Sequence, residues 1–412
     1  MSPAGPSARS PLRTLILLAA ILALVFLAYS SLRLAWADHL SRSTELDSVA
    51  RAVRLSPDSA DFRLKLAAAQ QAAGADPTAS LDTAVRLEPL NADAWMRLGT
   101  AAEVRGDPAA AENSLLQAAR VSRQFAPRWA LANFYFRRGD AERFWVWTRA
   151  SVRMGYGDLN PLFQLCWRMG PDAGPILEHA IPDRPAVLNS YIRFLLQEGR
   201  LTASEQPAAR LAALGTADDE STLTAWCNRQ LDAGSVPAAL AVWNTMCERH
   251  LVPYAPQTAD GVPLPGGDFA APFGSGFAWR LVPTPGVTTG RNQSPQFGWV
   301  AFSGGQPEIC AALLRYIPVT ASREYRLRFA YRTTEMPAAS GLRWTVYDAR
   351  KGIDVATISP WLSGAGWKPE EVRFRAPDSA VVRLTLTCQR LPGATRLRGT
   401  VDLRGLALER LP

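Results

Sequence analysis

The spacing of apolar residues changes once along this chain, and the change divides it. From about residue 44 to 250, apolar and small residues recur every three to four positions and are broken by Gly-Asp or Pro-bearing turns, the pattern of helices with one buried face. From 267 to 412 the period falls to two. In EYRLRFAYR, Tyr325, Leu327, Phe329 and Tyr331 alternate with Arg326, Arg328 and Arg332, as a strand with one core face and one wet face requires. Between them LVPYAPQTADGVPLPGG is punctuated by Pro and Gly and reads as a linker over 251–266. One packing scheme cannot serve both patterns, and 412 residues exceed one ordinary core, so a multidomain chain is expected. An apolar content of 48% with 20% charged residues argues that both parts are folded.

Ahead of both parts, TLILLAAILALVFLAYSSL runs from Thr14 to Leu32 without a charge. At ~1.5 Å per residue, such a helix crosses a ~30 Å hydrocarbon core. Arg9 and Arg13 precede it and predict a cytoplasmic N-terminus. A cleaved signal peptide competes, because Ala35-Trp36-Ala37 offers small residues around a cut. Against it, the apolar run exceeds the usual ~7–15 residues and Arg33 separates it from that site. The expectation is a cytoplasmic tail at 1–13, a transmembrane helix or uncleaved signal anchor at 14–32, and a single-pass inner-membrane protein whose bulk is periplasmic or extracellular.

Within the helical part, VRLSPDSAD at 53–61 is echoed by VRLEPLNAD at 85–93. The next stretch, ADAWMRLGTAAEVRGDPAAAENSLLQAARV, places Trp95, Leu98, Gly99 and Ala102 on one helix face, turns at Gly106-Asp107-Pro108, and lines a second helix with Ala111, Leu115 and Ala118. This resembles the tetratricopeptide repeat (TPR), a helix-turn-helix unit of about 34 residues. Trp129 follows Trp95 by one such period, and Phe62, Leu66 and Gly74 mark an earlier copy. The unit from Ala126 departs from the pattern, with Asn133 at a small-residue position, Gly139 one residue early, and Phe144, Trp145 and Trp147 where Ala is usual. Tyr191 and Gly199 are matched 35 residues later by Trp226 and Gly234. About six hairpins in a right-handed, all-α TPR-like superhelix over 44–250 are expected. The resemblance implies a groove for a peptide or protein partner, with Phe134, Arg137 and Arg138 as groove residues.

In the last part, LRWTV, EVRFR, VRLTLTC and TVDLRGLAL repeat the two-residue alternation, so an all-β sandwich is expected over 267–412. The order of features, from FGSGFAWRL through a tyrosine strand and a Trp-bearing loop to a final GTVDLRGLAL, resembles the jelly roll of carbohydrate-binding modules and galactose-binding-like domains. That resemblance implies a non-catalytic glycan-binding domain with no cofactor, though some members hold a structural calcium. Its aromatic and polar candidates, set outside the alternating core, are Trp299, Trp361, Trp367, Arg291 and Asn292, with Trp361 in an exposed loop. Residues 253–412 also hold 19 Lys and Arg against 12 Asp and Glu, which is +7 of the chain's formal +8. Arg326, Arg328, Arg332, Arg373, Arg375 and Arg383 oppose the apolar set, and on one shared sheet they would form a positive field for an anionic polymer or lipid surface. Export makes nucleic acid an unsuitable partner.

No P-loop, GxSxG, HExxH or dinucleotide fingerprint occurs, and residues 253–412 contain no His, so no enzyme is expected. The three histidines, His39, His179 and His250, are scattered and support no metal site. The five cysteines allow two readings: Cys227 with Cys247 and Cys310 with Cys388, leaving Cys166, or buried unpaired thiols throughout. The expected role is a membrane-anchored envelope scaffold or adaptor, with the TPR solenoid on a protein partner and the sandwich on a glycan, in surface polysaccharide assembly or export. The alternative is an assembly scaffold of a secretion or pilus system with no glycan ligand.

Overall fold

The computed structural model describes residues 11–155, 157–352, 354–357 and 359–412; side chains at 11–14 and 354–357 are outside the description, and so is most of the expected tail at 1–13. The chain forms two compact units, one of residues up to 158 with 168–171, the other of 159–167 with 172–412.

The first unit begins with α1 (Pro11–Ser41), an unbroken helix of 31 residues. From Leu15 to Leu34 its large apolar side chains are exposed, whereas Ala37 is fully buried against Val49, Val53, Phe62 and Leu66. One end of the apolar helix is therefore built into the first helical layer, where Lys65 Nζ also donates to Ser41 Oγ at 3.1 Å. After α2 (Leu46–Leu55), helices pair as α3 (Ala60–Ala72) with α4 (Thr78–Leu87), α5 (Ala92–Val104) with α6 (Pro108–Val121), and α7 (Phe125–Arg138) with α8 (Ala141–Met154). The starts of α5, α6 and α8 follow local chemistry: Asn91 Oδ1 accepts from Ala94 N at 3.1 Å, Asp107 Oδ1 from Ala110 N at 3.0 Å, and Asp140 Oδ1 from Arg143 N at 3.0 Å. The Leu-Gly of the repeat has a steric cause. A Cβ on Gly99 would stand 2.8 Å from Leu115 Cγ, so only glycine lets α5 and α6 approach this closely.

The second unit contains α9 (Asn160–Met169) for most of its length, α10 (Ala173–Pro175) continued by a π-helical turn at Ile176–Ala180, and two helical pairs. These pairs are α11 (Pro185–Gln197) with α12 (Glu205–Leu214) and α13 (Glu220–Asp232) with α14 (Val236–Glu248). The segment 251–266 has no helix or strand, yet it is tied down. Leu251, Val252 and Leu264 are buried, Tyr254 stacks on Trp243 at 5.2 Å, and Asn244 and Gln257 exchange two hydrogen bonds of 2.8 Å. Further contacts weld the last helices to the strands. Tyr316 Oη donates to Asp232 Oδ1 at 2.8 Å, and Gly276 N donates to Asn228 Oδ1 at 2.8 Å.

Among the described residues ten strands follow: β1 (Arg280–Leu281), β2 (Val287–Gln293), β3 (Gln296–Ser303), β4 (Ile309–Pro318), β5 (Glu324–Thr334), β6 (Leu342–Asp348), β7 (Asp354–Thr357), β8 (Lys368–Arg375), β9 (Val381–Gln389) and β10 (Arg398–Arg410). They form two antiparallel sheets, β1-β4-β9-β6-β7 and β2-β3-β10-β5-β8. From β3 to β6, and again from β7 to β10, every connection crosses to the opposite sheet, as in a jelly roll. The two-residue period fixes which side chains meet between the sheets. Tyr325, Leu327, Phe329 and Tyr331 are at most 4% exposed and join Trp344, Leu384, Leu386, Val401 and Leu403 in one core. In β10 the register slips between Arg404 and Ala407, and the bulge is held by Leu406 N donating to Gly267 O at 2.9 Å.

Candidate functional site

The outer face of the β2-β3-β10-β5-β8 sheet gathers most of the sandwich residues singled out above. Because β3 turns Gly298, Val300 and Phe302 inward, Phe297 and Trp299 point outward. In register, Gly290, Trp299, Asp402 and Arg332 stand side by side across β2, β3, β10 and β5, and Asn292 stands beside Phe297. Trp367 lies just before β8, with its ring 6.0 Å from Phe297, edge to face. Two guanidinium groups lie against these rings. Arg332 lies 5.4 Å from the Phe297 ring and 5.0 Å from Trp367, while Arg404 lies 3.9 Å from Trp367. Arg332 is oriented by Asp402, whose Oδ2 accepts from its Nε at 2.6 Å.

Trp299 is half-buried, and its position depends on its neighbour. A Cβ on Gly290 would come within 2.3 Å of Trp299 Cζ2, so the bare glycine backbone leaves room for the indole to lie along the sheet. Farther along β5 the bulge in β10 opens a cleft of about 820 Å³ over Arg328, Ala330, Pro369, Glu371, Arg404 and Gly405.

Five of the six expected arginines, Arg326, Arg328, Arg332, Arg373 and Arg375, share this sheet, and acids interleave with them. Arg326 bonds Glu409 at 2.5 Å and lies 3.6 Å from Glu371; Arg328 pairs with Glu409; Arg373 lies 3.5 Å from Glu371. Arg375 Nε donates to Ser322 O at 3.2 Å. The face is therefore a mosaic of paired charges and aromatic rings, and not the uniform positive field that alternation alone suggested. Arg383 belongs to the other sheet, with its guanidinium 4.9 Å from the Tyr347 ring.

Three further candidates stand elsewhere. Trp361 lies with the other sheet, half-buried under Arg343 at 4.7 Å. Arg291 Nη1 donates to Phe269 O at 3.2 Å and Ala270 O at 2.6 Å, which holds the segment before β1. Phe134 is 2% exposed and packs among helices, so it offers no groove surface. Arg137 binds Glu103 through two bonds of 2.7 Å, while Arg138 is exposed at the end of α7. Among the described residues no three His, Cys, Asp or Glu gather as a metal donor set.

Phe297, Asp402 and Arg404 were not singled out by sequence. The signal was present in QFGWVAFS, whose inward Val300 and Phe302 alternate with Phe297 and Trp299, and in the Ser-Pro turn before it.

No protein-family model matches this chain, and no curated protein matches it. Among solved structures it is similar to a CBM4 structure at 9% identity, covering 33% of this chain and 88% of that one with a TM-score of 0.26. It is similar also to YrrB, a TPR protein with an unusual peptide-binding site, at 13% identity, covering 51% of this chain and 96% of that one with a TM-score of 0.26. A third is the APC/C hetero-tetramer Cut9-Hcn1, at 14% identity, covering 52% of this chain and 45% of that one with a TM-score of 0.29.

Proposed function

We propose that the chain is a non-catalytic, membrane-anchored scaffold of the cell envelope that holds a protein partner through its helical repeats and a glycan on the outer face of β2-β3-β10-β5-β8. The observation that carries this reading is the interleaving of Trp299, Phe297 and Trp367 with Arg332, Arg404 and Asp402 on one sheet face. A pyranose ring has an apolar C–H face that packs on an indole, and its rim hydroxyls suit fixed guanidinium and carboxylate groups. Asp402 pre-orients Arg332, which lowers the ordering cost of binding.

Two features support the anchored arrangement. An α-helix of 31 residues is about 46 Å long, enough to span the hydrocarbon core and still enter the folded unit. Ala37, inside the alternative cleavage motif, is a core residue of the first helical layer, so cutting there would remove part of that core. A partner is best received near the cleft of about 460 Å³ beside Gly74, Pro77 and Val104, where Val104 is 83% exposed. The role in polysaccharide assembly or export belongs to this proposal.

Affinity electrophoresis tests it. The detergent-solubilised full chain is run through gels containing neutral or acidic polysaccharides, over a salt series. Retardation by at least one glycan is expected to persist at 1 M salt, where the Debye length is about 3 Å. It is expected to be lost in Trp299→Ala and kept in Trp361→Ala. No retardation by any glycan would overturn the reading and favour an assembly scaffold without one.

A further inference from the structure

A second, partly open site lies where α14, the segment 251–272 and the start of the sandwich meet. A cavity of about 220 Å³ is walled by the rings of Trp243, Tyr254, Phe277 and Trp279, together with Gln257 and Arg315. Arg315 is the anomaly. It occupies an inward position of β4, between the core residues Leu313 and Ile317 and opposite Leu384 of β9. It is 2% exposed, and burial pushes its guanidinium down to about 9, which leaves it a cation at neutral pH. No carboxylate pairs with it among the described residues; its neighbour is the Trp279 ring at 5.3 Å, and its Nε has no hydrogen-bond partner. Two more residues of the same wall carry unpartnered buried atoms, Gln257 Oε1 and Trp243 Nε1. Asp268, the acid on the wall, is exposed and accepts from Ala270 N at 3.1 Å.

A buried, unpaired ion costs several kcal/mol, and an apolar residue of similar size in its place is often neutral or stabilising. Beyond its contact with the Trp279 ring, Arg315 contributes nothing to the core that Met would not supply as well. What it does supply is a planar, bidentate donor in a cavity of low dielectric. A single positive charge balances a single negative one, which suits a carboxylate and leaves a phosphate dianion half-compensated. The aromatic wall suits an apolar body. The volume corresponds to about seven waters at ~30 Å³ each, the space of a ring-sized organic acid.

We propose that this cavity binds a small organic monocarboxylate with an apolar, ring-containing body, its carboxylate on Arg315 and a hydrogen-bond donor of its body on Gln257. The site is built on β4 and the segment before β1, separately from the outer face of the other sheet, so its failure would leave the glycan reading standing.

Calorimetric titration of the detergent-solubilised full chain decides it. The probes are benzoate, phenylacetate and indole-3-acetate, with benzamide as the uncharged counterpart and glucuronate as a sugar acid. At least one aromatic acid is expected to bind and benzamide is not. Arg315→Met is expected to weaken that acid on the order of 100-fold while leaving the unliganded Tm unchanged or higher. Gln257→Leu is expected to weaken indole-3-acetate more than benzoate. The proposal is overturned if no aromatic acid binds, if benzamide binds as well as benzoate, if glucuronate alone binds, or if Arg315→Met binds as the parent does. The comparison of benzoate with benzamide in the unsubstituted protein decides it even if Arg315→Met fails to fold.

Discussion

At single positions, what a side chain does here is set by the one beside it. Trp299 lies along its sheet because Gly290 has no Cβ, and Arg332 is aimed because Asp402 holds its Nε at 2.6 Å. Cys310 and Cys388 face each other across β4 and β9, and each perturbs the other. The hydrogen bond from the Cys388 thiol lowers Cys310 below the ordinary cysteine value, while that bond and burial push Cys388 up. Burial also raises Cys166 and Cys227, and raises Cys247 to about 12. In reduced, folded protein at pH 8, maleimide is expected to label Cys310 first, because it is half-buried and its thiolate is favoured. Peptide mapping over a time course checks this, and equal labelling of Cys310 and Cys166 would contradict it. Which cysteine of the pair reacts was not legible in the sequence, because it depends on register across two strands 78 residues apart. Arg315 was hidden for a related reason. In ICAALLRYIPV both alternating sets are largely apolar, so alternation alone does not show which face is the core and which face Arg315 takes.

At the scale of helices and strands, legibility followed the strength of the local pattern. EYRLRFAYR declared its own buried face, since Tyr325, Leu327, Phe329 and Tyr331 all point inward. The repeat around Trp95 declared its turn and its close contact. There Gly99 is expected to be irreplaceable: Gly99→Val forces a branched side chain against Leu115 and should cost about 1–3 kcal/mol by overpacking. Urea unfolding followed by helical circular dichroism measures it. A cost under ~0.5 kcal/mol would mean that α5 and α6 tolerate wider spacing than the repeat implies. Phe134 misled because an aromatic on a helix looks the same whether it faces a groove or a neighbour. The hairpin of β2 and β3 was missed as a pair of strands, since glycine and polar residues interrupt its alternation; with it went Phe297 as a partner of Trp299.

For the whole molecule, composition and period were enough to separate an apolar helix, a helical repeat and a β-sandwich. They did not reveal that α13, α14 and the segment 251–266 pack with the sandwich in one compact unit. That grouping depends on long-range contacts such as Asp232 with Tyr316, 84 residues apart. The proposed glycan site occupies one sheet face of that unit. Hydrogen–deuterium exchange of the full chain, with and without a polysaccharide that retards it, maps where the glycan sits. Protection is expected in peptides covering 287–303, 366–375 and 398–410, with no change at 342–348 or 381–389. Protection confined to the latter pair, or absent everywhere, would contradict that site.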